Sequence, residues 1–270
     1  MIYIIIGVVI VLLILFIINV YYEDFKVKKN HFEIETNEIE EDYKIVQLSD
    51  FHNEKNKWLH KQIIEIIKEE KPNIIVITGD LIDIDDAKYA EILIREIHDL
   101  APIYYVPGNH EYLFGGYEEL RRILLDNKVN VLENKTIKLD NNIVIHGVKD
   151  PIFGMPRDEE EVIKEYLDSF NLKKKEYNIL LSHRPEYFDI YTDYNIDLVF
   201  TGHAHGGQFR IPLLGPIFSP NQGLFPKYAM GMHIDKDTRM IVSRGLGNSM
   251  QAIIRVNNRP ELIVVSLLKK

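Results

Sequence analysis

The chain has 270 residues, 46% hydrophobic and 27% charged, enough for one sizeable globular domain with a full core. Its formal net charge of -9 counts against broad affinity for nucleic acid, which needs a basic face, but not against a small phosphorylated substrate, because bound metal ions reverse the local field. With no cysteine, any metal must be held by His, Asp, Glu or Asn, a donor set suited to Mn, Fe, Zn or Mg, and disulfides and a cysteine nucleophile are excluded.

Residues 2–18 are an unbroken apolar run, extended by Asn19, Val20, Tyr21 and Tyr22. At about 1.5 Å per helical residue, some 20 residues cover roughly the 30 Å of a hydrocarbon core. A cleaved signal peptide is the competing reading. No basic residue stands before the run and no small-x-small site after it, which argues against cleavage. The expectation is a single-pass transmembrane anchor over 1–22 that meets the bilayer through residues 2–22 and places the chain at the cell membrane. Lys26, Lys28 and Lys29 follow the span and lean toward a cytoplasmic domain by the positive-inside rule. Beside Glu23 and Asp24 they leave the side open.

Residues 23–42 are polar and acidic and read as a juxtamembrane linker with room for a first strand; the domain is expected over 43–270. Within it, 43–48, 73–77 and 103–106 are apolar runs of strand length, and 58–70, with apolar residues at 59, 63, 66 and 67, has helical spacing. Helices are also expected over 86–99, 117–126 and 158–170. Further strands are expected near 129–132, 136–139, 142–148, 178–181, 229–235, 239–243 and 261–268. Alternating strands and helices imply an α/β fold with a largely parallel core, in one or two packed sheets.

Five of these strands end in residues of metal-ligand type: Asp50 and His52, then Asp80, then Asn109 and His110, then His183, then His203 and His205. Each has an ordinary reading of its own. Asp80 could cap a turn, Asn109 could form one, His183 could be a satisfied core histidine, and His110 a turn residue. Together they converge, because loops after the strands of an open α/β sheet gather at one edge. Asp50, His52, Asp80, Asn109, His183, His203 and His205 make seven donors, too many for one ion and suited to two divalent ions sharing a carboxylate.

The motifs DFH (50–52), GD (79–80), GNHE (108–111), SHRPE (182–186) and GHAHGGQ (within 201–208) resemble the calcineurin-like metallophosphoesterases. SHRPEYFD, GHAHGGQFRIP, VSRGLGNS and the closing RPELIVVSLL are most similar to the membrane-associated YkuE/YaeI-type branch. The resemblance covers roughly 43–268 and implies a four-layer α/β/β/α sandwich carrying a binuclear metal centre. Carried over, Asp50, His52 and His205 would hold one ion and Asn109, His183 and His203 the other, with Asp80 bridging. His110 would be the catalytic histidine that assists the leaving oxygen. The reaction implied is attack of a bridging hydroxide on a phosphodiester, pyrophosphate or phosphomonoester, with no covalent enzyme intermediate.

Arg184 has two readings, a phosphate-oxygen contact or a salt-bridged loop arginine. Residues 209–226, rich in Pro and apolar side chains, read either as a buried crossover over the core or as an apolar rim that admits a lipid-linked phosphoester. Asp83, Asp85 and Asp86 are expected as surface acids near the site. Competing functions are a partner-binding scaffold, which loss of ligands would mark, and a nuclease, against which the acidic balance and the span both count.

Overall fold

The computed structural model describes residues 2–83, 87–211, 214–248 and 255–270, without the side chains at 12–13, 16–17 and 19–24. Asp85, Asp86 and Leu213 therefore lie outside the described residues. The chain opens with helix α1 (Ile2–Asp24) and strands β1 (Lys28–Thr36) and β2 (Tyr43–Leu48). It then runs through α2 (Lys57–Glu70), β3 (Ile74–Thr78), α3 (Lys88–Ile97), β4 (Ile103–Val106), a short α4 (Asn109–Leu113) and α5 (Tyr117–Asp126). There follow β5 (Asn130–Val131), β6 (Lys135–Lys138), β7 (Ile143–Gly147), α6 (Glu159–Asp168), β8 (Tyr177–Leu181), α7 (Phe188–Tyr191) and β9 (Leu198–Thr201). Two small ribbons come next, β10 (Arg210–Ile211) with β11 (Gly215–Pro216) and β12 (Phe218–Ser219) with β13 (Gly223–Leu224). The chain closes with β14 (Gly231–Asp235), β15 (Thr238–Val242) and β16 (Glu261–Lys269).

Local chemistry sets these boundaries. The Asn56 side chain accepts the N–H groups of Trp58 and Leu59 and so caps α2, a contact worth about 1 kcal/mol. Lys71 ends that helix in a left-handed turn just before Pro72, which cannot continue it. Asp158 caps α6 in the same way through Glu160 and Glu161. Apolar residues at 59, 63 and 67 put one face of α2 into the core.

Two six-stranded mixed sheets result, ordered β1-β16-β2-β3-β4-β5 and β14-β15-β9-β8-β7-β6. Strand alternation distributes their side chains among three cores. Val46, Leu48, Ile75 and Ile77 meet Ile63, Ile67, Leu93 and Leu120 on the outer face of the first sheet. Ile45, Val76 and Val265 turn inward against Ile145, Ile179 and Phe200 of the second sheet. Leu180, Val199 and Val242 meet Ile163, Leu167 and Phe188 on the far side. The order is helices, sheet, sheet, helices.

The stretch 23–42, read as a linker with room for a first strand, holds that strand: residues 28–36 form an edge strand paired in parallel with β16 from Lys28↔Glu261 to Thr36↔Lys269. Its inward positions Ile34 and Thr36 are buried, while alternate residues face solvent, so its sequence shows little continuous hydrophobicity. The expected crossover over 209–226 needs correction, since its described residues are not buried as one. Ribbons only two residues wide cannot cover their own side chains, and Leu214, Leu224 and Phe225 are 66%, 68% and 65% exposed. Residues Ile2–Asp24 form one 23-residue helix; among the described residues no helix is long and apolar enough to cross a membrane.

Candidate metal centre

The loops that follow β2, β3, β4, β8 and β9 meet at one edge of the two sheets. Asp50, His52, Asp80 and His205 offer ligand atoms that all lie within 4.8 Å of one another, and so do Asp80, His183 and His203. Asp80 belongs to both groups. Asn109, at the start of α4, joins the second, its Oδ1 lying 3.1 Å from His183 Nε2. All seven of the expected ligands are therefore brought together, and every one is buried.

The turns that carry them are tight. Asp50, His52, Asp80, His203 and His205 all take left-handed backbone, with φ between 46° and 64°, a region that side chains with a Cβ rarely enter. Close approach is needed as well: a Cβ on Gly202 would strike Ser49 Oγ and Asp50 Oδ2. Glu111, which carries no assigned role in the sequence, is a buried clamp on this wall. Its carboxylate accepts from the N–H groups of Gly108 (2.7 Å), Asp80 (2.9 Å) and Leu81 (2.7 Å). Burial, reinforced by the Asp80 charge, pushes Glu111 up to about 7. A glutamate three residues into a helix that starts after Gly108 is the sequence signal that would have found it.

The donor set fits cations. Burial lowers His52 and His205 to about 3 and holds His203 well below its usual value, so all three rings are neutral at pH 7 and offer lone pairs. Their nitrogens converge closely: His52 Nε2 is 3.2 Å from His205 Nε2, and His203 Nδ1 is 3.2 Å from His183 Nε2. His183 Nδ1 lies 2.7 Å from the Thr78 carbonyl, which fixes its proton there and turns Nε2 into the cluster. Burial opposes charge on His183, but the Asp80 carboxylate 3.2 Å away outweighs it and lifts the ring to about 10. A cation at this position would supply the same charge balance. Asp50 Oδ2 and His52 Nδ1 are buried without a hydrogen-bond partner among the described residues.

His110 stands beside the ligands. Its Nδ1 lies 3.1 Å from Asp83 Oδ1 and its Nε2 3.8 Å from Asp80 Oδ2. Asp83, expected as a surface acid, thus orients the histidine, and nothing in the spacing of the irregular loop after β3 pointed to that. Asn221 is a second residue that the sequence did not indicate; its Oδ1 is 3.1 Å from His203 Nε2. Arg184 is buried, and its guanidinium donates to both oxygens of Asp150 and, at 3.2 Å, to Glu186. It lines the cavity but comes already held by carboxylates. That cavity, about 240 Å³, opens over Asp80, Asn109, His110, His203 and His205, with Leu113, Phe114 and Pro220 at its wall. A larger groove of about 450 Å³ between α2 and α3 shares none of these groups.

Residues 43–207 match the family model described as calcineurin-like phosphoesterase. The chain belongs to that family. It is a metal-dependent phosphoesterase. Metallophosphoesterase YkuE of Bacillus subtilis is 33% identical over 235 residues, covering 83% of this chain and 79% of the relative. A metallophosphoesterase of Aquifex aeolicus is 29% identical, covering 92% and 94%. Phosphodiesterase YaeI of Escherichia coli is 26% identical, covering 84% and 82%. Among solved structures, TT1561 of Thermus thermophilus aligns with a TM-score of 0.50 at 13% identity, over 75% of this phosphoesterase and 89% of that chain, a likeness of fold alone.

Proposed function

We propose that this phosphoesterase hydrolyses a phosphodiester, pyrophosphate or phosphomonoester bond of a lipid-linked substrate, the lipid being read from its N-terminal anchor, with two divalent ions at the strand ends. The observation that carries the reading is the pair of ligand groups sharing Asp80. Asp50, His52 and His205 are assigned to one ion and Asn109, His183 and His203 to the other, with Asp80 between them. Two such ions supply Lewis-acid activation of a water molecule and of the phosphoryl oxygens. The chain's own residues do the rest. Thr78 and Asp50 backbone and side-chain contacts hold His183 and His203 in place, the latter through its N–H to Asp50 Oδ1 at 2.9 Å. Asp83 orients the His110 ring so that Nε2 points into the cavity, where it can hand a proton to the leaving oxygen. Leu113, Phe114 and Pro220 give this cavity an apolar wall.

The N-terminal segment supports an anchored enzyme: residues 2–22 contain no Asp, Glu, Lys or Arg, and a charge-free stretch of about 20 residues suits a bilayer core. Lys26, Lys28 and Lys29 favour the cytoplasmic side for the domain.

The test is a hydrolysis panel on the full chain in detergent, loaded in turn with Mn, Fe, Zn and Mg, offering mono- and diesters, cyclic nucleotides and lipid-linked pyrophosphates. Turnover of diesters or pyrophosphates, lost with Asn109→Ala or His205→Ala together with metal content, is the expected result. Bound metal with no turnover on any of them would instead mark a binding scaffold.

A further inference from the structure

The place where the chain leaves its N-terminal helix relates the metal cluster to the membrane. β16 runs antiparallel to β2 with Ile263 opposite Gln47, so its first residue, Glu261, lies level with the loop that bears Asp50. Hydrogen bonds fix that level: Glu261 N–H donates to the Gly245 carbonyl, and Leu246 and Gly247 N–H groups donate to the Asp50 carbonyl at 3.2 and 2.7 Å. β1 runs parallel to β16 with Lys28 opposite Glu261, and Lys28 N–H donates to Pro260 at 2.7 Å. The start of β1 is therefore at the same edge as the cluster. Only residues 25–27 separate it from the end of α1, and three residues span at most about 11 Å. They are not slack. Gln62 of α2 accepts from Val27 N–H and donates to the Phe25 carbonyl.

Exposed apolar side chains stand at that edge. The ribbons of 209–211 and 214–225 are pinned to the site, since Asn258 donates to the His205 carbonyl and Asn221 reaches His203. They turn Leu214, Phe218, Leu224 and Phe225 outward. Trp58, the only tryptophan of the chain, is 58% exposed in the first turn of α2, one turn from Gln62. Leu113 and Phe114, at the cavity wall, are exposed too. Large apolar side chains exposed together mark an interaction surface, and here the chain's own charge-free segment leaves from beside them.

We infer that this strand-end edge, with the 209–225 ribbons and Trp58 in contact, seats on the bilayer that residues 2–22 enter, so that the cavity opens at the level of the lipid headgroups. The substrate class follows: a phosphoester presented at a membrane surface, reached without leaving it. This rests on the anchored reading above. Aromatic residues at such a level are favoured by their amphipathic rings, and Lys26 and Lys28, both exposed at the exit, suit anionic headgroups.

The experiment uses the full chain in vesicles of phosphatidylcholine and phosphatidylglycerol with or without brominated acyl chains, which quench tryptophan on contact. Native Trp58 and a Trp58→Phe/Leu224→Trp variant report the two ends of the edge. The inference expects both to float with the vesicles and both to be quenched by the brominated lipid. A Leu214→Asp/Phe225→Asp variant should float equally, keep hydrolysis of a soluble diester as proof of folding, and lose most of the Trp58 quenching. Flotation without quenching at position 224, or quenching at Trp58 that survives the aspartates, overturns the bilayer-facing edge. Failure to float overturns the anchored reading beneath it, and absence of soluble-diester hydrolysis overturns the phosphoesterase reading; each is read separately.

Discussion

Asp50, His52, Asp80, His203 and His205 sit in left-handed backbone, and no glycine could replace them because their side chains are the donors. Such conformations cost about 1–3 kcal/mol each and persist only where surrounding contacts over-determine them. Glu111 supplies part of that restraint through the N–H groups of Gly108, Asp80 and Leu81. His110 differs in that it falls in neither ligand group around Asp80, standing instead with Asp83 and His52. His110→Ala should lower kcat by about 10²–10⁴-fold with both ions retained, the usual contribution of a general acid; metal content and single-turnover rates check it. Asp83→Asn should lower kcat by roughly 10–100-fold, as loss of an orienting partner does, while KM changes little. Away from the site, burial raises the Asp197 carboxyl to about 6 from 3.8, against the opposing hydrogen bond from Asn178. The folded chain then keeps a proton that the unfolded chain loses between these values, so this group's contribution to stability falls as pH rises from about 4 to about 6, by at most about 1.4 kcal/mol per pH unit. Asp197→Asn removes that slope and should gain on the parent across this window in urea titrations.

At the scale of elements, each ligand-bearing strand is short, buried over its last four residues and followed at once by a sharp turn. Gly202 shows how little room is left between β9 and the loop after β2. Gly202→Ala should push Ser49 and Asp50 apart and reduce metal content at least severalfold while circular dichroism stays unchanged; full metal occupancy would refute the tight-approach argument. The same brevity made the strands legible, because runs such as 74–78 are apolar throughout, and their ends delivered Asp50, Asp80, His183 and the His203/His205 pair in plain view. What stayed hidden has physical causes. β1 is an edge strand with a solvated face, so it resembles a polar linker. α4 has five residues and no period to detect, and two-residue ribbons have none either. Asp83 and Asn221 reach the site from irregular loops, where spacing says nothing about direction.

For the whole molecule, the donors come from both sheets: Asp50, Asp80 and Asn109 follow strands of the first, His183, His203 and His205 strands of the second. Bound ions would therefore cross-link the two halves of the sandwich, and ligands that bind only the folded state stabilise it by about 3–4 kcal/mol at 100–1,000 times Kd. Chelation should lower Tm by roughly 5–15 °C, reversed on adding back metal; an unchanged Tm would argue against ions joining the sheets. The sheet order holds one more consequence. β16, the last strand made, lies between β1 and β2, two of the first. Throughout synthesis of residues 37–260, β1 has no neighbour to pair with, and β2 has an open edge. The first sheet cannot close until residues 261–269 have left the ribosome, so its folding waits on β16. Deleting residues 261–270 should leave two bare strand edges and an aggregating product, and pulse-labelled nascent chains should gain protease resistance in one late step.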